Sequence, residues 1–288
     1  MDERASEGLA RLVAAVQASA HHRGMSADIV RAIGIVELRK RPGLKEAIKA
    51  TKNCLHQVSG SYVPRQINAN AWIQRLEAHG NDRDAIRRWC LQAMDEHLST
   101  RERGASLDSF YETVCQGITP PSSVLDIACG LHPLGLLWMP LAPDAVYDAY
   151  DIDERLVDIV RALFTLLHVP GEVAGRNVLA WRPSRGYDVA FLMKCLPCFE
   201  QLEKGASRRL LMEVPARHLI VSYPVTTLGG RRIGMAAQYE SDFRDAVSGQ
   251  PWEVRRFTFP HELVFRITKH DVPVPEEVPE PCVCQPGA

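Results

Sequence analysis

The sequence has no apolar stretch approaching the roughly 18 uninterrupted residues that span a bilayer, so no membrane helix is expected. Its first residues, MDERASEGLARL, carry acids early and lack an apolar signal core, which points to a cytoplasmic protein without a membrane partner. Eight cysteines fall at irregular positions, the pattern of reduced thiols and not of a disulfide scaffold. No internal repeat is found. Basic residues are missing from one place: residues 271–288 hold four acids and no Lys or Arg. That segment is also rich in Pro and cannot bury a core, so a disordered tail is expected. Apolar residues at 46% and charged residues at 24% are ordinary globular composition, enough for a large domain with a helical appendage.

The net charge of −1 hides an asymmetry, because everything before residue 271 sums to +3. Residues 1–104 hold 17 Lys or Arg against 12 Asp or Glu, and the stretch from Arg31 to Lys52 has seven bases and two acids. Arg39, Lys40, Arg41, Lys45, Lys49 and Lys52 fall within it. Such a basic surface suits a polyanionic partner. A merely solvated helix face would carry the same charges.

Residues 1–105 read as helices only. Leu9, Leu12, Val13 and Val16 share one helical stripe, Ile29, Ile33 and Val36 another. Pro42 can open a third helix through Lys49 and Leu55. Ile86, Trp89, Cys90, Ala93, Met94 and His97 mark a strongly amphipathic one, and residues 60–70 have loop chemistry. One more helix, with Leu107, Phe110, Tyr111 and Val114, stops at Pro120-Pro121. From there short apolar runs alternate with helical stretches. Strands are expected at 123–128, 145–150, 172–176, 188–193 and 218–223, and helices at 154–167 and 203–214. This alternation predicts an α/β fold with a mostly parallel, doubly wound sheet. Residues 252–259 and 262–268 read as a closing antiparallel hairpin. The expected division is a helical domain at 1–105, a sheet domain at 106–270 and a tail at 271–288.

The sharpest local signal is VLDIACGLHPLG, from Val124 to Gly135. A buried strand ends at Ala128 and turns at Cys129-Gly130, where a missing Cβ lets backbone approach a ligand. Twenty-one residues after Gly130, a second strand ends in Asp151, within YDAYDIDERL. An acid at that place can accept hydrogen bonds from both ribose hydroxyls of an adenosine cofactor. The pyrophosphate fingerprint G-x-G-x-x-G is absent, so a nucleoside without phosphates fits better, and S-adenosylmethionine is one. The expectation is a Rossmann-like S-adenosylmethionine-dependent methyltransferase sheet preceded by an all-helical domain.

The fourth strand ends in FLMKCLPCFE, where methyltransferases place the target base. The Asn/Asp-Pro-Pro-aromatic motif of exocyclic-amine methylation is missing. Three readings stay open. Cys198 or Cys195 could serve as the thiolate nucleophile of a cytosine-C5 methyltransferase. The sheet could be degenerate and the chain a non-catalytic RNA-binding protein. Or the target could be guanine N7, whose in-plane lone pair carries no proton and needs no general base, only alignment with the methyl carbon and sulfur. Cys195-x-x-Cys198 has no matching second pair nearby, so no metal site is expected.

The chain resembles the aminoglycoside-resistance 16S rRNA methyltransferases of the sisomicin–gentamicin and Arm type, which modify guanine 1405 at N7. The anchors are LHQVSGSYVP, STRERGASLDSFY, LDIACGLHPLG, DIDERLV, LMKCLPCFE and YPVTTLGGRRIGM, spread between about Lys49 and Lys269. The resemblance implies that Ala128, Gly130, Asp151 and Ile152 hold the methionine and ribose ends of S-adenosylmethionine. It implies that Asn177, Val178 and Met193 frame the adenine, and that Arg103 reaches the carboxylate. His97, Leu98 and Ser99, with Tyr62, would line the same pocket. The partner implied is 16S rRNA in the assembled 30S subunit, bound by a monomer, with Lys194, Arg231 and Arg232 joining the basic segment on the RNA. Three departures stand out: Asn177 replaces the family's usual Asp, His132 its usual Asn, and Ile233, next to Arg232, a common lysine.

Overall fold

A computed structural model describes residues 3–41, 43–58, 67–181, 183–225 and 235–272. Three helices come first: α1 (Glu3–Gln17), α2 (Ala27–Lys40) and α3 (Leu44–Val58). They pack on one another through Leu12, Val16, Val30 and Leu55, all fully buried. Next come α4 (Ala69–Glu77), α5 (Arg83–Glu96), the single turn α6 (Leu98–Arg101) and α7 (Leu107–Val114). The Asn68 side chain caps α4 by accepting from Ala71 N–H, and Asp82 caps α5 by accepting from Asp84 and Ala85.

The sheet follows as β1 (Ser123–Ile127), β2 (Val146–Asp151), β3 (Val173–Gly175), β4 (Tyr187–Met193), β5 (Ala216–Pro224), β6 (Glu253–Thr258) and β7 (Glu262–Thr268). Its spatial order is β3-β2-β1-β4-β5-β7-β6. The first five run parallel, and β7 inserts antiparallel between β5 and β6, so the expected doubly wound sheet and closing hairpin are both present. Between the strands lie α8 (Glu154–Leu167), α9 (Leu196–Leu202), α10 (Ala206–Glu213) and α11 (Met235–Val247).

Alternate residues of each strand bury opposite faces. Val189 and Phe191 of β4 join a cluster with α4, α5, α7 and α8, whereas Ala190 and Leu192 join one with α9, α10 and α11. Each fully buried aliphatic side chain contributes roughly 1.5–3 kcal/mol.

The helix expected over 203–214 is α10, which starts only after the left-handed Gly205 (φ +86°); α9 before it was not expected. The buried core is continuous across residue 105. Leu76, Ile86, Trp89 and Met94, on α4 and α5, share one cluster with Phe110, Val124 and Ile220, so only α1–α3 keep a core of their own. That three-helix unit is fastened to the sheet by the turn before α2. Ser26 N–H donates to the Ile152 carbonyl at 2.7 Å, and Glu154 N–H to that of Gly24 at 2.7 Å.

Candidate cofactor site

The carboxyl ends of β1, β2 and β4 open on one cleft, the place where parallel α/β sheets hold ligands. It encloses about 900 Å³ of space between atoms, part of it open to solvent. Of the residues expected there, Ala128, Gly130, Asp151 and Ile152 line it beside the first two strands. Asn177, Val178 and Met193 line it beside β3 and β4, and His97, Ser99 and Arg103 close it from the helical side. Leu98 is not among the lining residues, and Tyr62 lies outside the described residues. Ile29 of α2 and Leu202 of α9 also reach the cleft, which the sequence did not signal.

The backbone at the strand ends is unusual. Ala128 (φ +53°), Gly130 (φ +50°) and Lys194 (φ +57°) are all left-handed, and two of them are not glycine. Such strain persists where surrounding structure over-determines it, commonly at binding sites. At Gly130 two features favour glycine. A Cβ there would stand 3.2 Å from His97 Cε1, besides the conformational cost.

Asp151 is buried. Its Oδ2 accepts from Gly130 N–H at 2.8 Å and its Oδ1 from Asp153 N–H at 2.9 Å. Each oxygen keeps a lone pair for a further donor. Burial raises its carboxyl to about 6, with the backbone hydrogen bonds pulling the other way. His97 hydrogen-bonds Ser99 Oγ at 2.9 Å. Burial, reinforced by the Lys194 charge, pushes it down to about 4, so it is neutral at pH 7.

Arg103 and Lys194 are each 2% exposed, and Glu262 of β7 lies between them, also 2% exposed. Arg103 Nη2 donates to both Glu262 oxygens, at 2.8 and 3.0 Å, and its Nε to Oε2 at 3.3 Å. Its Nη1 has no hydrogen-bond partner among the described residues. Lys194 Nζ reaches Glu102 at 2.6 Å, Glu262 at 2.9 Å and the Ser99 carbonyl at 2.9 Å. Lys194 was expected on the RNA. Instead the left-handed turn after β4 leaves its ammonium buried against the cleft, held by three oxygens. Glu262 itself was missed; the one hint was an acid opening a mostly apolar strand.

The set of residues fits S-adenosylmethionine. The buried carboxylate of Asp151 has spare lone pairs, Gly130 leaves room for backbone approach, apolar Val178 and Met193 offer an adenine slot, and one Arg103 nitrogen lacks a partner. Cys195 and Cys198 line the cleft too, neither in a disulfide, and burial pushes the Cys195 thiol well up.

Of the basic segment, Arg39, Lys40, Lys45 and Lys49 are exposed along α2 and α3, and Lys52 is half-buried. Arg41 is paired with Glu37. Arg231 and Arg232, and the tail from 273 on, lie outside the described residues.

This strand order, with a left-handed glycine turn after β1 and an acid ending β2, defines a Rossmann-like fold of the S-adenosylmethionine-dependent methyltransferase class. More particularly, the chain belongs to the ribosomal RNA methyltransferase (FmrO) family, whose model matches residues 14–266. A Micromonospora rosea protein named 16S rRNA (guanine(1405)-N(7))-methyltransferase is 33% identical over 263 residues, 90% of this chain and 96% of its own. A protein of the same name from Micromonospora olivasterospora is 35% identical over 243 residues, 82% of this chain and 80% of its own. The crystal structure of the 16S rRNA methyltransferase RmtF in complex with S-adenosyl-L-homocysteine superposes with a TM-score of 0.76. It is 28% identical and aligns over 93% of this chain and 99% of that one.

Proposed function

We propose that this chain methylates N7 of guanine 1405 in 16S rRNA, acting as a cytoplasmic monomer on the assembled 30S subunit. The observation that carries the reading is the cleft at the strand ends, with a buried acid and a glycine turn, in a chain of this family. Asp151 accepts the ribose hydroxyls, Ala128, Gly130 and Ile152 follow the backbone of the ligand, and Asn177, Val178 and Met193 frame the adenine. Arg103 offers Nη1 to the carboxylate. When bound, S-adenosylmethionine supplies an electrophilic methyl group on a sulfonium.

Guanine N7 has no proton to lose, so the side chains need only exclude water and hold the base in line. A neutral His97 and a protonated Cys195 suit that task and argue against a thiolate mechanism at Cys195. The exposed bases of α2 and α3 would dock on rRNA phosphates, which give affinity and register and no sequence discrimination. The target base must leave its stack to enter the cleft. Incubating the protein with labelled cofactor and either 30S subunits or naked 16S rRNA, then mapping the modified nucleotide, tests target and context together. Modification of another nucleotide would overturn the target; preference for naked rRNA would overturn the subunit.

A further inference from the structure

The cleft wall carries two cationic side chains, Arg103 and Lys194. Arg103 stays protonated at any working pH, and both it and Lys194 are sealed from solvent at 2% exposure. The proposed cofactor is itself cationic: a sulfonium, an ammonium and a carboxylate leave one net positive charge, and the sulfonium has no proton to shed. Its demethylated product, S-adenosylhomocysteine, is a thioether with no net charge. A wall of two bare cations would therefore favour the product over the substrate.

The buried counter-charge is Glu262, which touches both cations within 3.3 Å. Glu102 also pairs with Lys194 but is 22% exposed, so solvent dilutes its field. We infer that Glu262 is a specificity-determining residue that acts through Arg103 and Lys194, cancelling their field so that the cleft accepts a cationic sulfonium cofactor. The inference rests on the cofactor assigned above. It extends to the reaction, in which positive charge passes from sulfur to the guanine ring and an uncompensated ammonium nearby would oppose its arrival.

A buried ion pair that only braced the fold would affect every ligand alike when broken. A field acts by ligand charge. Calorimetric titration of the full chain with S-adenosylmethionine, with the amine analogue sinefungin, which carries the same net charge, and with S-adenosylhomocysteine separates the two. In Glu262→Gln both cationic ligands should weaken by about tenfold relative to S-adenosylhomocysteine, and adding Lys194→Met should return the ratio to within about threefold of wild type. Lys194→Met alone should move the ratio the opposite way, which keeps the question answerable if Glu262→Gln does not fold. Equal losses for all three ligands, or a ratio unmoved by either single change, would overturn the inference. Failure of the wild-type chain to bind any of the three would overturn the cofactor assignment instead.

Discussion

Gly130 donates its backbone N–H to Asp151 Oδ2 at 2.8 Å, joining the turn after β1 to the end of β2. The bond orients the carboxylate and leaves one lone pair per oxygen. Asp151→Ala should cost roughly 1–3 kcal/mol of S-adenosylmethionine binding, the range for stranding polar partners. The pH dependence follows from burial, which lifts this carboxyl from 3.8 to about 6. Ribose hydroxyls bond best to the ionised form, so affinity should fall as pH drops through about 6 and be level above it. Folding runs in the opposite sense. A raised carboxyl favours the folded state at low pH, and that contribution is lost as pH climbs from 3.8 to about 6. Calorimetry from pH 5 to about 8 checks the binding curve, and Asp151→Asn should flatten it. An unchanged affinity in Asp151→Ala would remove the residue from the site.

The same turn makes a prediction about stability. Gly130→Ala places an L-residue at φ +50° and its methyl 3.2 Å from His97. The left-handed conformation costs about 1–2 kcal/mol, so thermal unfolding should come at lower temperature. Ala128→Gly, at φ +53°, relieves that cost while adding freedom to the unfolded chain, so its Tm should move little. Equal Tm values for Gly130→Ala and wild type would show that the turn relaxes.

What could be read in the sequence was local. Gly130 and Asp151 each close an apolar run, and strand periodicity places both at carboxyl ends where a cofactor would lie. The sheet followed from the same periodicity. The ion group did not, because Arg103 and Glu262 stand 159 residues apart and only the insertion of β7 beside β5 brings them together. Lys194 was misread for a related reason: a lysine after a strand looks like a surface charge unless its buried partners are known. The division of the core was hidden too. The apolar stripe of α5 announces a buried face but not whether α3 or the sheet covers it.

Neither cysteine of Cys195-x-x-Cys198 should be needed for chemistry. Burial holds the Cys195 thiol protonated, and attack by a ring lone pair uses no thiolate. The double change to Ala should retain substantial methyl transfer to 30S subunits, measured with labelled cofactor. Complete loss in a folded double variant that still binds cofactor would favour cytosine-C5 chemistry.

Reversing charge at Arg39, Lys45 and Lys49, all exposed on α2 and α3, should weaken subunit binding and flatten its dependence on salt. Fewer counterions are then released on association. Cofactor affinity should stay as in wild type, since none of the three lines the cleft. An unaltered salt slope would mean that this face is only solvated.

The last expectation is a phenotype, and it follows from the chemistry of the target. A methyl on guanine N7 adds bulk and positive charge to the major-groove edge and removes an acceptor there. Gentamicin and kanamycin carry several ammonium groups and engage that edge of the decoding site, so each should lose a hydrogen bond and Coulomb attraction together. Streptomycin binds elsewhere and should be unaffected. Expression in a susceptible bacterium should therefore raise the inhibitory concentrations of gentamicin and kanamycin but not of streptomycin. Glu262→Gln should give less resistance at equal protein level, because a cleft that prefers product turns over slowly. Two measurements must be read together, drug susceptibility and methylation of guanine 1405 in the same cells. Susceptible cells with an unmethylated guanine would count against the target. Susceptible cells with a methylated one would leave the target standing and refute the account of how the drugs are excluded.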